Sequence, residues 1–118
     1  MIEVEILKKG KQILYYIKGT TALHREDGPA AIDHEHREWF LNGVRHRVDG
    51  PAYEGFDGYE EWYINGKLHR EDGPAVFLRD GMSLWYLNGI QLSKEEWFEA
   101  LTEDKKEKAL YSEYFIGD

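Results

Sequence analysis

The sequence predicts a mainly β protein, an antiparallel meander of β-hairpin repeats with a C-terminal helical cap. Two alternating segments carry this prediction. The first, His-Arg-x-Asp-Gly-Pro-Ala, occurs at 24–30, 46–52 and 69–75. The second is an aromatic pair that runs into Asn-Gly, at 39–43, 62–66 and 85–89. Self-similarity at a nearly fixed period of this length indicates supersecondary units that bury their surface by stacking.

Each unit contains two turn signals. Asn-Gly between apolar runs is typical of a two-residue hairpin turn, because both residues accept positive φ. Asp-Gly-Pro supplies the second turn. Its Asp side chain is expected to bond the local backbone, and its Pro opens a strand where a missing N–H is tolerated. Residues 15–19 (Tyr-Tyr-Ile-Lys-Gly) are predicted to be a degenerate first copy.

Strand alternation divides the repeated aromatics between two faces. One face is expected to hold Trp39, Trp62 and Trp85 together with Leu41, Ile64 and Leu87, and the other to hold Phe40, Tyr63 and Tyr86. The tryptophan side is the better candidate for the core. If each repeat buries one such layer, Trp62→Ala should cost about 3–5 kcal/mol of stability.

The last unit departs from the repeat and predicts helices. Ser93 followed by Glu96 has the spacing of a capping box, and Trp97, Phe98 and Leu101 give the helix an apolar face. Thr102 can cap a second helix that carries Leu110, Tyr111, Tyr114 and Phe115, with Gly117 as its stop. The chain is predicted to be one domain, 1–118, with repeats over 1–92 and a helical tail over 93–118 that covers the open end or one face of the sheet.

The repeated pattern resembles the MORN repeat superfamily over roughly residues 10–92. It is most similar to the variant hairpin repeats of bacteriophage proteins and bacterial antitoxin-like modules, with His-Arg-x-Asp-Gly-Pro-Ala where MORN repeats usually carry more glycine. The resemblance implies a twisted antiparallel sheet used as an interaction surface, and no catalytic residue. Small size, acidity and appended helices are similar to phage proteins that block host defence systems. A phage or prophage inhibitor of a host defence protein is therefore the expected function, with an antitoxin or immunity module as the alternative.

Composition narrows the function classes. The chain has no cysteine, which excludes disulfides and zinc–thiolate sites, and no apolar stretch approaches the roughly 20 residues that span a bilayer. The start has no signal-peptide pattern, so a soluble, cytoplasmic protein is expected. Residues 53–118 carry the whole net charge of −8. Without a basic footprint, direct nucleic-acid binding is not expected. The acidic half favours a protein partner with a basic surface, or serves only solubility.

Two further patterns are candidate sites for an enzyme or a metal protein, which is the second alternative function. His, Arg and Asp of the repeated motif could act in acid–base chemistry, but an active site is normally single and this motif occurs three times. Residues 33–36 (Asp-His-Glu-His) offer four potential metal ligands, but they lie at a hairpin tip, where polar residues are the default. No catalytic residue, metal or cofactor is expected.

The predicted partner surface combines exposed sheet aromatics with carboxylates of the acidic half. Tyr and Trp are favoured at binding hot spots because they bury a large area and keep a polar group. The predicted partner-binding residues are Phe40, Tyr63, Tyr86, Glu60, Glu61, Glu95, Glu96, Glu99 and Glu103.

Overall fold

The computed structural model describes residues 2–116, and there the chain is mainly β, with two helices near its C-terminal end. The strands are β1 (Val4–Lys9), β2 (Gln12–Ile17), β3 (Ala31–Ile32), β4 (His36–Glu38), β5 (Phe40–Leu41), β6 (Val44–Arg45), β7 (Tyr53–Gly55), β8 (Glu60–Glu61), β9 (Tyr63–Ile64), β10 (Lys67–Leu68), β11 (Val76–Phe77), β12 (Ser83–Leu87) and β13 (Ile90–Leu92). The helices are α1 (Lys94–Ala100) and α2 (Glu103–Leu110). Neither is long and apolar enough to cross a membrane, and no other helix occurs in residues 2–116.

The main sheet is antiparallel, with strand order β1-β2-β3-β4-β7-β8-β11-β12-β13. The hairpins β5–β6 and β9–β10 leave it and form two small sheets of their own. The predicted mainly β, antiparallel hairpin architecture with C-terminal helices is confirmed, but the strands form three sheets and not one continuous sheet. Strand pairing is interrupted at Trp39 and Trp62, where the chain passes from the main sheet into each small hairpin.

The Asn-Gly turns are confirmed. Asn42, Asn65 and Asn88 have φ of 50°, 49° and 50°, and the glycine after each also has positive φ. Two successive residues at positive φ are the mark of the type I′ turn, whose twist matches that of the flanking strands.

The alanine that ends each motif is fully buried between two strands. For Ala52, the N–H donates to the Glu61 oxygen at 2.8 Å and the carbonyl accepts from the Trp39 N–H at 2.7 Å. Ala30 and Ala75 are bonded in the same way, and all three are 0 % exposed. The motif thus carries the chain from a small hairpin back into the main sheet. Because its alanine is fully buried between two strands, the position has no room for a larger side chain.

The first hairpin lies only partly in the repeat, because β2 carries Tyr15 and Tyr16 of the degenerate first copy while β1 lies outside it. β1 pairs with β2 along its whole length, from Val4 opposite Ile17 to Lys9 opposite Gln12. Gly10 closes the turn with φ of 63°. The repeat period does not reveal β1, because β1 has no counterpart in the other copies. Its strand character is visible only in Val4 and Ile6, which alternate with charged residues.

The tail forms the compact part of the core. The predicted capping box of α1 is confirmed, with Ser93 and Glu96 each bonding the other's backbone, and Thr102 caps α2. Trp85, Trp97, Leu101 and Ala109 are buried together.

The prediction that one helix carries both Leu110 and Tyr111 with Tyr114 and Phe115 is wrong. α2 ends at Leu110, and turns bring Tyr114 and Phe115 back onto Trp85. The predicted stop, Gly117, lies outside the described residues.

The prediction of one buried tryptophan layer per repeat is also wrong. Trp85 is 9 % exposed, but Trp39 and Trp62 are only partly buried. Charged guanidinium groups, which stay partly hydrated, cover these two rings in place of aliphatic residues. Trp62→Ala should therefore cost less than the 3–5 kcal/mol expected for a fully buried ring.

Candidate protein-interaction faces

Each His-Arg-x-Asp-Gly-Pro motif is a clamp built around its arginine. The guanidinium carbon of Arg47 lies 3.8 Å from the ring centroid of Trp39, and that of Arg70 lies 3.7 Å from Trp62. Arg25 covers Tyr15 at 4.2 Å, so Tyr15 takes the tryptophan position in the degenerate first copy. In all three copies the arginine also donates from Nε to the motif aspartate and from Nη1 to the carbonyl oxygen of the motif proline.

The motif glycine is required by this clamp. A Cβ added at Gly50 would lie 2.5 Å from Cζ of Arg47, and one at Gly28 would lie 2.9 Å from Cζ of Arg25. Neither glycine has positive φ. The guanidinium is therefore held between a glycine on one side and an aromatic ring on the other. Steric room, rather than a left-handed backbone, explains why glycine stands here.

The motif histidine joins one unit to the next. Nδ1 of His24 accepts from the Asn42 N–H at 2.8 Å, and Nδ1 of His46 accepts from the Asn65 N–H at 2.9 Å. His69 accepts from Asn88 in the same way. Because a backbone N–H can only donate, the proton of each neutral imidazole is assigned to Nε2. Each ring thus fixes the Asn-Gly turn of the following hairpin.

These contacts change the interpretation of the aspartate. Asp72 accepts from Arg70 Nε at 2.7 Å, and not from the local backbone as the sequence suggested. Its side chain is 75 % exposed. The three polar groups of the motif are engaged in the same way at all three sites, which is the arrangement expected of a structural element.

The face opposite the tryptophans carries a row of aromatic and charged side chains. We call it the Tyr face and define it by Phe40, Tyr53, Tyr59, Tyr63 and Tyr86. Tyr53 is stacked on His36 at 5.0 Å and meets Tyr59 edge-on at 5.7 Å. The tail packs on the other side of the sheet, against Trp85 and Phe77, and so leaves the Tyr face uncovered.

Hydrogen bonds hold the Tyr face in place. Arg45 lies between Phe40 and Tyr63, 5.3 and 5.7 Å from their ring centroids, and donates to Glu38 at 2.8 Å. Glu61 accepts from the hydroxyls of Tyr59 at 2.7 Å and Tyr63 at 3.3 Å. Within residues 2–116 no cation lies within ion-pair distance of Glu61, and the nearest charge that acts on it is that of Arg45, which pairs with Glu38.

The same contacts shift the acidity of the face. Burial raises the pKa of Tyr59 to about 12, and the hydrogen bond to Glu61 acts in the same direction. Burial also raises the pKa of Tyr53 and of Tyr63. Burial opposes the charge on Arg45, but its hydrogen bond to Glu38 and the nearby charges outweigh this and raise its pKa. These three tyrosines are therefore neutral donors at physiological pH.

Alkaline pH should weaken the fold through Tyr59. Its pKa in the folded chain, about 12, lies above the ordinary value of about 10. The stability it contributes is therefore complete below pH 10 and is lost as the pH rises toward 12. Between pH 9 and pH 11, the free energy of unfolding in urea should fall less for Tyr59→Phe than for the unsubstituted chain. The exposed Tyr111→Phe serves as the control and should leave the loss unchanged.

The structure does not bring all the predicted partner residues to one face. Phe40, Tyr63, Tyr86 and Glu61 share the Tyr face, but Glu60 alternates with Glu61 and lies on the tryptophan side, opposite Phe77 in the sheet. The tail carboxylates stand on helices that pack against the tryptophan side. The fold therefore does not place the tail carboxylates around the tyrosines of the Tyr face.

The tail carboxylates also have local partners. Glu96 accepts from the Ser93 N–H at 2.8 Å in the capping box, and Glu99 and Glu103 lie 3.5 and 3.6 Å from Nζ of Lys106. Charge reversal at Glu96 would therefore remove the cap of α1.

The Tyr face also includes side chains that the repeat does not predict: Tyr53, Tyr59, His36 and Arg45. They lie in hairpin tips and return strands, where the three copies differ, so repeated positions do not mark them. The signal was available in strand alternation, since positions 59, 61 and 63 must share a side.

Two of the four potential metal ligands at 33–36, Asp33 and His36, are engaged in a turn, and the other two are exposed and contact each other. Asp33 accepts from the backbone N–H groups of Glu35 and His36, at 2.8 and 2.9 Å, and these bonds help to lower its pKa against the opposing effect of burial. His36 Nε2 contacts Glu38 at 2.8 Å. Within residues 2–116 no three His, Asp or Glu side chains are grouped so that they could hold a metal ion.

No protein-family model, curated protein or solved structure matches this chain. The resemblance to MORN-like repeats therefore stays a prediction, and the functional argument depends on the geometry of the two faces.

Proposed function

We propose that this chain is a protein-binding module whose Tyr face is its contact surface. The observation that carries the proposal is the network around Glu61, in which two tyrosine hydroxyls bond one carboxylate on an uncovered face. Tyrosines and an arginine held in fixed positions bind with little loss of side-chain entropy, and both residue types are enriched at hot spots.

The partner presents a basic side chain to Glu61. This carboxylate lies among rings that displace water, where an ion pair is stronger than on an open surface. The partner class is taken from the resemblance to phage-type hairpin repeats. It is a host defence protein that the chain blocks, with a cognate toxin as the alternative, and a pull-down from host lysate with mass spectrometry distinguishes the two.

The binding test compares variants of the two faces against the captured partner. Tyr63→Ala should weaken binding by about 30-fold, the effect of losing a hot-spot contact of about 2 kcal/mol. Glu61→Gln, which keeps an acceptor for the tyrosine hydroxyls, should slow association more at low salt than at high salt. Tyr111→Ala is the control for Tyr63, because it removes a tyrosine that is 76 % exposed on the tail.

Glu99→Gln distinguishes this proposal from an interface on the tail. Glu99 carries the same charge as Glu61 but lies on α1, on the other side of the sheet. If Glu99→Gln slows association more than Glu61→Gln does, the tail is the contact surface and the assignment to the Tyr face is wrong. Thermal melting of each variant separates lost binding from lost folding.

A further inference from the structure

Strand β1 is an uncovered edge of the main sheet. It stands at one end of the strand order, pairs with β2 alone, and is exposed along all six of its residues. An edge strand presents unpaired backbone N–H and C=O groups, and proteins usually shorten, bulge or cover such an edge. The opposite edge, β13, has only three residues and leads into α1. β1 is longer and pairs with β2 in unbroken register, so it is available to another strand.

Alternate residues of β1 direct their backbone groups away from β2. Ile6 lies opposite Tyr15. The Tyr15 N–H donates to the Ala30 oxygen at 2.8 Å, and the Tyr15 oxygen accepts from the His24 N–H at 2.9 Å, both on the far side of β2. Directly opposite residues of an antiparallel pair either face each other or both face away, so the Ile6 backbone points outward. By this alternation, the outward groups of β1 belong to Val4, Ile6 and Lys8.

The side chains along β1 are complementary to a second copy of the same strand. Glu3 and Glu5 stand at its start, and Lys8 and Lys9 stand at its end. The two lysines form no ion pair within residues 2–116. Ile6, between the two charged ends, is 58 % exposed. Lysine on an edge strand normally deters pairing, but an antiparallel copy of this strand brings a glutamate to it.

We propose that two copies of this chain pair through β1, antiparallel about a two-fold axis at Ile6. In this register Ile6 of each copy directs its outward N–H and C=O groups to Ile6 of the other, and Val4 pairs in the same way with Lys8. Glu3 lies opposite Lys9 on both sides of the axis. Val4 is the diagonal neighbour of Ile6 in the second copy, so these apolar side chains form a row across the junction. The interface includes no Tyr-face residue and does not depend on the function proposed for that face.

The neighbouring registers with the same backbone pairing fit less well. An axis at Glu5 would set the two Glu5 carboxylates against each other, and like charges directly opposite are destabilising. An axis at Leu7 would set Val4 against Gly10, where φ is 63° and the strand has ended in a turn. Charge and strand length therefore both favour the axis at Ile6.

Sedimentation velocity of the full chain over a range of concentrations tests the pairing. The unsubstituted chain should show a concentration-dependent equilibrium between monomer and dimer. Ile6→Lys should weaken the dimer at least about tenfold, because it replaces an apolar contact on the axis by two like charges. The matched control is Met82→Lys, which adds the same charge at an apolar site that is also 58 % exposed, at a distant hairpin tip. It should leave the equilibrium unchanged.

Charge reversal tests the register. Glu3→Lys and Lys9→Glu should each weaken the dimer about tenfold, because each sets two like-charge pairs opposite each other, and the double reversal should restore it. The two single reversals change the net charge in opposite directions, so a general charge effect cannot weaken the dimer in both. Glu3 also pairs with Lys18, but both side chains are mostly exposed, so losing that pair costs the fold little. Thermal melting of each variant checks this.

A chain that stays monomeric up to about 1 mM contradicts the proposal. A dimer that Ile6→Lys does not weaken, or that the double reversal does not restore after the single reversals have weakened it, contradicts it as well. Tyr63→Ala separates this interface from the Tyr face and should leave the dimer unchanged. If Tyr63→Ala dissociates the dimer and Ile6→Lys does not, the copies associate through the Tyr face and β1 is not their contact.

Discussion

Replacing Trp97 by alanine should lower the free energy of unfolding by about 3–5 kcal/mol, the largest effect expected for a single substitution in this chain. The side chain is 1 % exposed, packs against Trp85 and Phe115, and donates a buried hydrogen bond to Arg70. The substitution removes the ring, opens a cavity and leaves the Arg70 oxygen without its donor. Urea unfolding followed by far-ultraviolet circular dichroism measures the loss.

Two controls define what the loss means. Tyr111→Ala also removes a tail aromatic, but one that is 76 % exposed, and it should change the stability by no more than about 0.5 kcal/mol. Trp62→Ala should fall between the two, because its ring is only partly buried under Arg70. If Trp62→Ala costs more than Trp97→Ala, the stabilising core lies in the repeats and not beneath the tail.

Arg70→Ala should cost about 2–3 kcal/mol, the second largest effect. Its guanidinium is packed over Trp62 and donates to the Pro74 oxygen at 3.1 Å, with only 12 % of the side chain exposed. A largely desolvated cation–π contact is worth about 2 kcal/mol, and a hydrogen bond from a charged group is worth about 1.5–3 kcal/mol. The two act through one side chain and do not add in full, so their combined loss should be close to that of the stronger one. Arg70→Lys should restore little, since an ammonium cannot reproduce the two-sided donation. Thermal and urea unfolding provide the measurement.

The matched control is Asp72→Ala, which removes the exposed partner of the same arginine. An exposed ion pair contributes about 0–1 kcal/mol, so the loss should stay below about 1 kcal/mol. Equal losses from Arg70→Ala and Asp72→Ala would show that the ion pair, rather than the stacking on Trp62, holds the clamp together.

Local rules were sufficient for the turns and caps of this fold. The period identifies the repeats, Asn-Gly predicts the type I′ turns, and Ser93 with Glu96 predicts the start of α1, because each depends on residues close together in the chain. The stacking of the motif arginine on an aromatic ring could not be predicted from such local rules. Its ring partner, Trp39 for Arg47, lies eight residues back across a hairpin, and both an apolar layer and a cation–π layer are compatible with the same spacing.

The side on which the tail packs was also beyond the sequence. Both faces of the sheet carry an aromatic row, so either could receive Trp97. The choice follows from the last motif position, where Ser93 stands in place of the arginine that would cover Trp85. Because no arginine covers the Trp85 ring, the tail packs on the tryptophan side. The Tyr face therefore stays uncovered.

The most direct measurement is hydroxyl-radical footprinting of the chain alone and in complex with the captured partner. Oxidation of Tyr63, Tyr86 and Phe40 should slow in the complex, while oxidation of Tyr111 on the tail should not change. Protection of Tyr111 with unchanged oxidation of the three Tyr-face residues would contradict the proposed function and place the partner on the tail.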